Sequence, residues 1–256
     1  VDRIDYLSQI SSQLSSNLID RGKQLYRSTQ YTEAVKVWQQ AIKSTQEPLT
    51  IAMLWSNLSL AYQKLGQWQN AKEAIASSFK ILGTVTDESQ AMLKVKAQAL
   101  NTKGSLEFAI AEPEAALLAW QSATSTYVKA GDRDGEVKGL LNQVQALKAL
   151  GFYRRAIKTL EQANQILKVQ PDSTIKASGL RSLGDVLQLV GNLDRAEQVL
   201  QQSLKITRQD KSTDIHSEIL LSLGNLARLQ QNTKGALEFY QQANATAISN
   251  RAKMQA

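Results

Sequence analysis

The 256-residue sequence contains no cysteine, so disulfide bonds, thiolate metal sites and a cysteine nucleophile are excluded from this chain. It has a single histidine, no Gly-x-Ser-x-Gly motif and no glycine loop of the kind that binds phosphate. Its carboxylates form no pair at a spacing that catalysis requires. We therefore expect no catalytic residues, no metal and no cofactor within these residues.

Long apolar runs and blocks of basic residues are also missing. No stretch approaches the roughly 18 apolar residues of a membrane span, and the N-terminus lacks a basic region followed by an apolar one. The net charge of +7 comes from isolated cations and pairs such as Arg154 and Arg155. This spread disfavours nucleic acid as a partner. Because the first residue is Val1 and not Met, we expect a processed or excised piece of a longer protein.

The composition indicates an all-α chain, because only three prolines occur, Ala, Leu, Gln and Lys are frequent, and 43% of the residues are hydrophobic. The stretch from Tyr31 to Ala41 has an aromatic residue, Ala after three positions, Trp after four more and Ala after three more. This pattern returns five more times with substitutions. Internal repetition of this kind indicates a repeat architecture.

The repeats have one fixed distance and one variable distance. A small or glycine position precedes the first conserved Ala by twelve residues each time, at 22 and 34, 59 and 71, 104 and 116, 144 and 156, 184 and 196, and 224 and 236. The Ala positions themselves step by 37, 45, 40, 40 and 40 residues. The spacing thus predicts helical hairpins of constant geometry, with every change in length, and longer helices, at the connections between them.

The prolines, glycines and apolar spacing predict about twelve helices, the first from Ile4 to Thr29. We expect one continuous array over residues 1–256, with repeats at about 4–47, 48–85, 86–130, 131–170, 171–210 and 211–253. The last predicted helix, near 233 to 250, ends in the polar run from Asn250 to Gln255, and no clear additional helix follows it. Either the final hairpin caps itself, or it leaves apolar surface through which two copies can associate.

The repeated residues resemble the tetratricopeptide repeat, and the resemblance covers nearly the whole chain. It rests on Trp55, Leu58, Tyr62, Gly66 and Ala71; on Leu180, Leu183, Gly184, Leu187, Gly191 and Ala196; and on Leu220, Leu223, Gly224 and Ala236. The forty-residue units look like the variant in kinesin light chains, in Pins-type adaptors and in bacterial arrays fused to CHAT-type domains. The resemblance implies a right-handed α-solenoid of six hairpins that acts as a scaffold for protein–protein interactions.

In this family the outward arc of each first helix lines a concave surface, so the resemblance implies a groove for a peptide or helical segment. The candidate partner-binding residues on that arc are Asn57, Lys64, Asn101, Phe108, Asn142, Gln145, Lys148, Arg181, Asp185, Asn225 and Arg228. Asn and Gln amides suit peptide backbones, and the cations suggest an acidic partner. At each position the alternative is an ordinary solvated helix face.

Other conspicuous residues have simpler interpretations. Trp38 and Trp120 occupy the large position of a second helix, so we expect them to pack inside their own hairpins. His216 has no metal-ligand partners at a suitable spacing and is expected at the surface. Asp132 and Asp134 lack the remaining ligands of a calcium loop, so we interpret them as helix caps.

Two functions are compatible with these features. The first is a scaffold that binds a segment of another protein or of a neighbouring domain. The second is the regulatory or sensing arm of a larger enzyme or signalling protein, for example a CHAT-type peptidase, whose chemistry would lie outside this segment.

Overall fold

A computed structural model describes residues 16–208 and 214–255, with side chains described as far as residue 249. Within these ranges the chain forms helices and no strand. They are α1 (16–27), α2 (Tyr31–Ser44), α3 (Pro48–Lys64), α4 (Trp68–Leu82), α5 (Gln90–Ala109), α6 (Pro113–Lys129), α7 (Arg133–Ala149), α8 (Tyr153–Lys168), α9 (Thr174–Leu189), α10 (Leu193–Ile206), α11 (Asp214–Leu229) and α12 (Thr233–Gln255). The all-α class and the helical hairpins are confirmed. The helix start predicted at Ile4 lies outside the described residues.

The helices belong to two compact units, and the boundary between Asn142 and Gln143 falls inside α7. In the first unit α3 packs on α4 and α5 packs on α6, each pair forming an antiparallel hairpin. In the second unit α9 packs on α10 and α11 packs on α12 in the same way. The continuous array over all 256 residues stays a prediction.

The turn inside each hairpin has the same backbone geometry in all six repeats. Its middle residue has a φ between 60° and 78°, and the positions are Thr29, Gly66, Ala111, Gly151, Gly191 and Gln231. The next residue donates its N–H to the carbonyl five positions back, as Gln67 does to Tyr62 at 2.9 Å and Asn232 to Ala227 at 2.8 Å. This is the Schellman ending of a helix. Because the turn is constant, the twelve-residue register of the hairpin is constant too.

A large side chain from the second helix packs against the small position of the first helix. We call this small position the seat. A Cβ built on Gly104 would lie 2.6 Å from Trp120 Cδ1, and one on Gly184 would lie 2.5 Å from Leu200 Cγ. Trp120 is 2% exposed, and its Nε1 donates to the Asn101 carbonyl at 3.1 Å. The predicted packing of Trp38 and Trp120 within their hairpins is confirmed, since Trp38 is also 2% exposed.

A second contact joins the far ends of the two helices through a serine. Ser78 donates to the Ala52 carbonyl at 2.7 Å, and Ser203 donates to the Ala177 carbonyl at 2.7 Å. In the last hairpin the donor changes helix, because Ser217 on α11 donates to Ala243 on α12 at 3.0 Å. The serine hydroxyl of this contact can therefore come from either helix, and in both arrangements it donates to a backbone carbonyl of the other helix.

The helix ends follow the expected local chemistry. Pro48 and Pro113 occupy the first turns of α3 and α6, where their missing N–H leaves no bond unmade. Asp132 accepts a hydrogen bond from the Gly135 N–H at 2.9 Å, so its predicted capping role is confirmed. The longest interval between repeats is accommodated by α5, which has 20 residues, and by the connection at 83–89. One expectation is wrong, because α12 continues through the polar run to Gln255.

We expect Gly104→Ala to lower the free energy of unfolding by about 1–2 kcal/mol, because overpacking costs about 1–3 kcal/mol and the gain in helix propensity returns at most about 1. Denaturant titration followed by circular dichroism measures the change. Gly83→Ala is the control, since a Cβ there meets no atom closer than 3.4 Å. A Gly104→Ala protein as stable as the parent would contradict the proposed seat.

We expect Thr29→Gly to raise the free energy of unfolding by about 0.5–1 kcal/mol. Thr29 has a φ of 60°, a conformation that costs residues other than glycine about 1–2 kcal/mol, although glycine loses about 0.5–1 kcal/mol more backbone entropy. The reverse change, Gly66→Ala at a φ of 69°, should destabilise the protein under the same titration. Equal stabilities for all three proteins would refute the interpretation of the turn.

Candidate functional site

The predicted amides of the first unit lie on successive first helices, and two of them bind each other. Asn142 Nδ2 donates to Asn101 Oδ1 at 2.7 Å, which joins α7 to α5. Asn57 lies half-buried on α3, and Lys64 is the exposed last residue of that helix. The structure therefore gives Asn101 and Asn142 a role within the scaffold that the sequence did not indicate.

Phe108 is placed differently from the expectation of an outward-facing contact. It is half-buried, and its ring centroid lies 5.6 Å from that of Trp120 with a tilt of 42°. Aromatic pairs at this separation stabilise the core beyond their burial. Phe108 therefore packs on the large side chain of its own hairpin.

In the second unit, five predicted residues lie together in a groove of about 640 Å³ that is formed by α7, α9 and α11. We call it the α7–α9–α11 groove. Its lining residues are Lys148, Arg181, Asp185, Gln188, Leu189, Glu218, Leu221, Ser222, Asn225, Arg228 and Leu229. The predicted residue Gln145 is exposed on α7 and is not among those that line the groove.

Arg181 is the central charge of this groove. Its guanidinium lies 3.5 Å from Asp185 Oδ2 on α9 and 3.2 Å from Glu218 Oε2 on α11, so it joins the two helices. The side chain is 26% exposed, and its buried Nε has no hydrogen-bond acceptor in the described structure. With Lys148 and Arg228, the lining carries three cations against two carboxylates. An incoming carboxylate would thus find Lys148 and Arg228, which form no ion pair among the described residues, and Arg181, which is already shared.

Three leucines give the same groove an apolar component. Leu189, Leu221 and Leu229 are 56%, 45% and 46% exposed. Leu221 and Leu229 stand one helical turn before and after Asn225, whose Oδ1 accepts a hydrogen bond from the Tyr240 hydroxyl at 2.9 Å. The sequence interpretation omitted both leucines and Glu218. Leu221 and Leu229 each lie four residues from the predicted Asn225, and this helical spacing could have identified them.

Glutamines tie consecutive first helices together at one repeated position. Gln188 Nε2 donates to the Ser222 carbonyl on α11 at 3.2 Å, and Gln63 Nε2 donates to the Thr102 carbonyl on α5 at 3.3 Å. Both glutamines stand four residues after the small position of their helix. Gln188 thereby fixes α9 against α11 on the wall of the groove.

His216 is not at the surface, and that expectation is wrong. It is 6% exposed, and its Nδ1 lies 2.7 Å from Thr207 Oγ1. The Thr207 hydroxyl also lies 3.1 Å from the Leu204 carbonyl, to which it donates. The direction of the hydrogen bond between Thr207 and His216 depends on which ring nitrogen of His216 carries the proton. The sequence spacing did not show that α10 ends beside the first turn of α11.

The positive charge is concentrated in the second unit. Residues up to Asn142 include 15 Lys and Arg against 14 Asp and Glu, whereas residues from Gln143 onward include 15 against 9. The net charges are therefore +1 and +6. The basic residues themselves are spread along the chain as expected, and the difference in net charge comes from the smaller number of carboxylates in the second unit.

Two searches of the described residues concern other kinds of site. None of the described helices is both long and apolar enough to cross a membrane. The residues that the structure describes bring together no group of three or more His, Asp or Glu side chains that could hold a metal ion.

Two family models match parts of the sequence. The tetratricopeptide repeat model matches residues 136–209, which extend from α7 to the end of α10. The model described as the Rapsyn N-terminal myristoylation and linker region matches residues 10–92. A search of the curated proteins gives no match.

Several solved structures have the same fold at low sequence identity. BtubC (BKLC) from P. vanneervenii has a TM-score of 0.68 and 16% identity, over 97% of this chain and 92% of that one. A kinesin light chain from Podosopora anserina with nearly identical TPR-like repeats has a TM-score of 0.64 and 18% identity, over 82% and 99%. The STAND protein PH0952 from Pyrococcus horikoshii, with a tetratricopeptide repeat sensor, has a TM-score of 0.72 and 15% identity. This chain covers 38% of that protein, over 90% of its own length.

The hairpins of constant register, with a large side chain seated on a small one and a Schellman turn between the helices, define the class of helical-hairpin repeat proteins. Residues 136–209 match the tetratricopeptide repeat model, and the described helices have the fold of solved structures with such repeats.

We expect Asn101→Ala and Asn142→Ala to be coupled by about 1 kcal/mol in a double-mutant cycle, because each change alone removes one partner of a neutral hydrogen bond. Unfolding free energies of the two single variants and the double variant measure the coupling. Asn57→Ala combined with Asn142→Ala is the control, and their effects should add within about 0.5 kcal/mol. Additivity in the first cycle would show that the amide pair contributes nothing.

Proposed function

We propose that this chain is a protein-interaction scaffold that holds an amphipathic, acidic segment of a partner in the α7–α9–α11 groove. Tetratricopeptide arrays serve generally as scaffolds for protein–protein interactions and not as enzymes. The observation that supports this groove in particular is the coincidence of three exposed leucines with Lys148, Arg181 and Arg228 in one concavity.

The chemistry of the groove favours a segment with one apolar side and acidic side chains beside it. Leu189, Leu221 and Leu229 offer apolar area, and burying such area contributes about 25 cal/mol per Å². Lys148 and Arg228 are available to carboxylates of the partner, whereas Arg181 first has to exchange Asp185 or Glu218 for the new carboxylate. Apolar contacts therefore supply affinity, and the cations set orientation and specificity.

A second candidate function is a sensing or regulatory arm of a larger protein. It is favoured by the similarity to the STAND protein that carries a tetratricopeptide repeat sensor, in which the matched part is 38% of the chain. A CHAT-type peptidase is the particular form that we propose. The complete open reading frame distinguishes the two candidates, because a peptidase domain would bring its own catalytic cysteine and histidine.

Self-association through the last hairpin also stays a prediction. It is supported by Leu237 and Ile248 on α12, which are 56% and 60% exposed.

The groove can be tested by selecting peptides from a random displayed library on the immobilised protein. We expect the recovered peptides to combine Leu, Ile or Phe at helical spacing with Asp or Glu. The double variant Leu221→Asn/Leu229→Asn should lower their affinity by at least about tenfold, because it removes the apolar contact without adding a cation that would attract acidic peptides.

The control is Leu118→Asn, which makes the same change at a leucine that is 65% exposed on α6 in the other unit. It should leave the affinities of the selected peptides within about twofold. Peptides that bind the double variant as tightly as the parent would exclude the α7–α9–α11 groove as their site.

A further inference from the structure

The second unit contains two clefts on a different side of its first helices. The first cleft, of about 540 Å³, lies between α8, α9 and α10, and the second, of about 680 Å³, lies between α10, α11 and α12. On α9 the cleft residues Lys176, Leu180 and Leu183 stand about 160° around the helix from the groove residues, at 100° per residue. The clefts are therefore separate from the α7–α9–α11 groove.

The two clefts are copies of each other, one repeat apart. Five lining positions of the first cleft recur in the second after 40 residues, namely Asn164 as Leu204, Lys168 as Arg208, Lys176 as His216, Leu180 as Leu220 and Gln202 as Gln242. A basic residue, a leucine and a glutamine are thus kept in place. A ligand that uses both clefts must extend along the repeats.

The linings are positively charged. Lys168, Lys176 and Arg195 face one carboxylate in the lining of the first cleft, Glu161, which Arg195 already binds. Lys176 also pairs with Asp172, outside the lining, at 3.0 Å. Among the described residues, the lining of the second cleft contains Arg208 and no carboxylate. Lys168 and Arg208, which occupy the equivalent positions, form no ion pair among the described residues. A complementary ligand would carry two groups of negative charge, separated by the distance between equivalent positions of neighbouring repeats.

Asn164 indicates what kind of chain the ligand is. The equivalent position holds Ile42, Phe79, Thr124, Leu204 and Asn244 in the other repeats. In Asn164 both amide atoms, Nδ2 and Oδ1, are buried and have no hydrogen-bond partner in the described structure. Leaving both atoms of a buried amide unpaired is costly, so this side chain is a candidate for contact with a ligand. Because the residue as a whole is only half-buried, rotation of its side chain can present one donor and one acceptor to the cleft. A peptide bond offers the matching acceptor and donor.

We propose that the two clefts form a tandem site for an extended acidic peptide, with one cluster of carboxylates in each cleft and a backbone amide at Asn164. Lys168 and Arg208 bind the carboxylates, and the half-buried Leu180 and Leu204 contact the apolar residues between them. This site operates independently of the α7–α9–α11 groove and holds a different segment.

The test uses fluorescence anisotropy with synthetic peptides that carry one Glu-Leu-Glu-Leu-Glu cluster, or two such clusters joined by Gly-Ser linkers of graded length. The best two-cluster peptide should bind at least about tenfold more tightly than the one-cluster peptide, because the second contact becomes intramolecular. Lys168→Glu alone, or Arg208→Glu alone, should remove that gain. Lys158→Glu, an equal change of charge at an exposed position of α8 outside both clefts, should keep it.

Asn164→Leu separates binding from folding. This change installs the residue found one repeat later, at Leu204, and removes the unpaired amide. The melting temperature should therefore rise by about 2–4 °C, while affinity for the two-cluster peptide falls. Unchanged affinity in this variant, equal affinity for the one- and two-cluster peptides, or an equal loss in Lys158→Glu would overturn the proposal.

The last measurement compares the peptides with a ten-nucleotide single-stranded DNA. Tighter binding of this DNA than of the peptides, with the same dependence on Lys168 and Arg208, would assign the clefts to nucleic acid and would also overturn it.

Discussion

The structure depends on a large side chain from the second helix of the hairpin, which in four of the six hairpins rests on a glycine of the first helix. Trp120 over Gly104 and Leu200 over Gly184 show how little room this contact leaves, because a single added carbon would overlap the ring or the branched chain. Because the Schellman turn is the same in each hairpin, the second helix packs on the first in the same register. The large residue therefore always follows the seat by sixteen residues. Where the seat is not glycine, Ser59 fits by donating its hydroxyl to the Ala71 carbonyl.

This contact explains why the sequence predicted the hairpins well. A seat, a large residue and a left-handed turn are all local, so their spacing is visible in the chain without any knowledge of tertiary structure. Sequence did less well where two repeats meet. The burial of His216 beside Thr207 and the bond between Asn101 and Asn142 both depend on how one hairpin packs on another, and that packing has no fixed sequence spacing. Five of the eleven residues that line the groove are among those predicted on the outward arc, whereas Leu221, Leu229 and Glu218 are not.

The hairpins keep their inward contacts constant while their outer faces vary, which makes the second unit suitable for more than one ligand surface. The same helices α9 and α11 present leucines and shared cations on one side and repeated basic clefts on another. The Gln188 bond to Ser222 and the Ser203 bond to Ala177 hold the helices that form these surfaces. A rigid frame of this kind reduces the entropy that a partner loses on binding, because the receiving side chains are already placed.

The uneven distribution of charge has a kinetic consequence. With +6 on the residues from Gln143 onward and +1 on those before, the field of the protein draws a negatively charged molecule toward one part of the chain before any contact forms. The rate of encounter would then exceed that of a neutral surface and fall as ionic strength shortens the screening length, while the lifetime of the complex would follow the apolar contacts. The balance of charge along the chain therefore governs how quickly a partner arrives, and the leucines govern how long it stays.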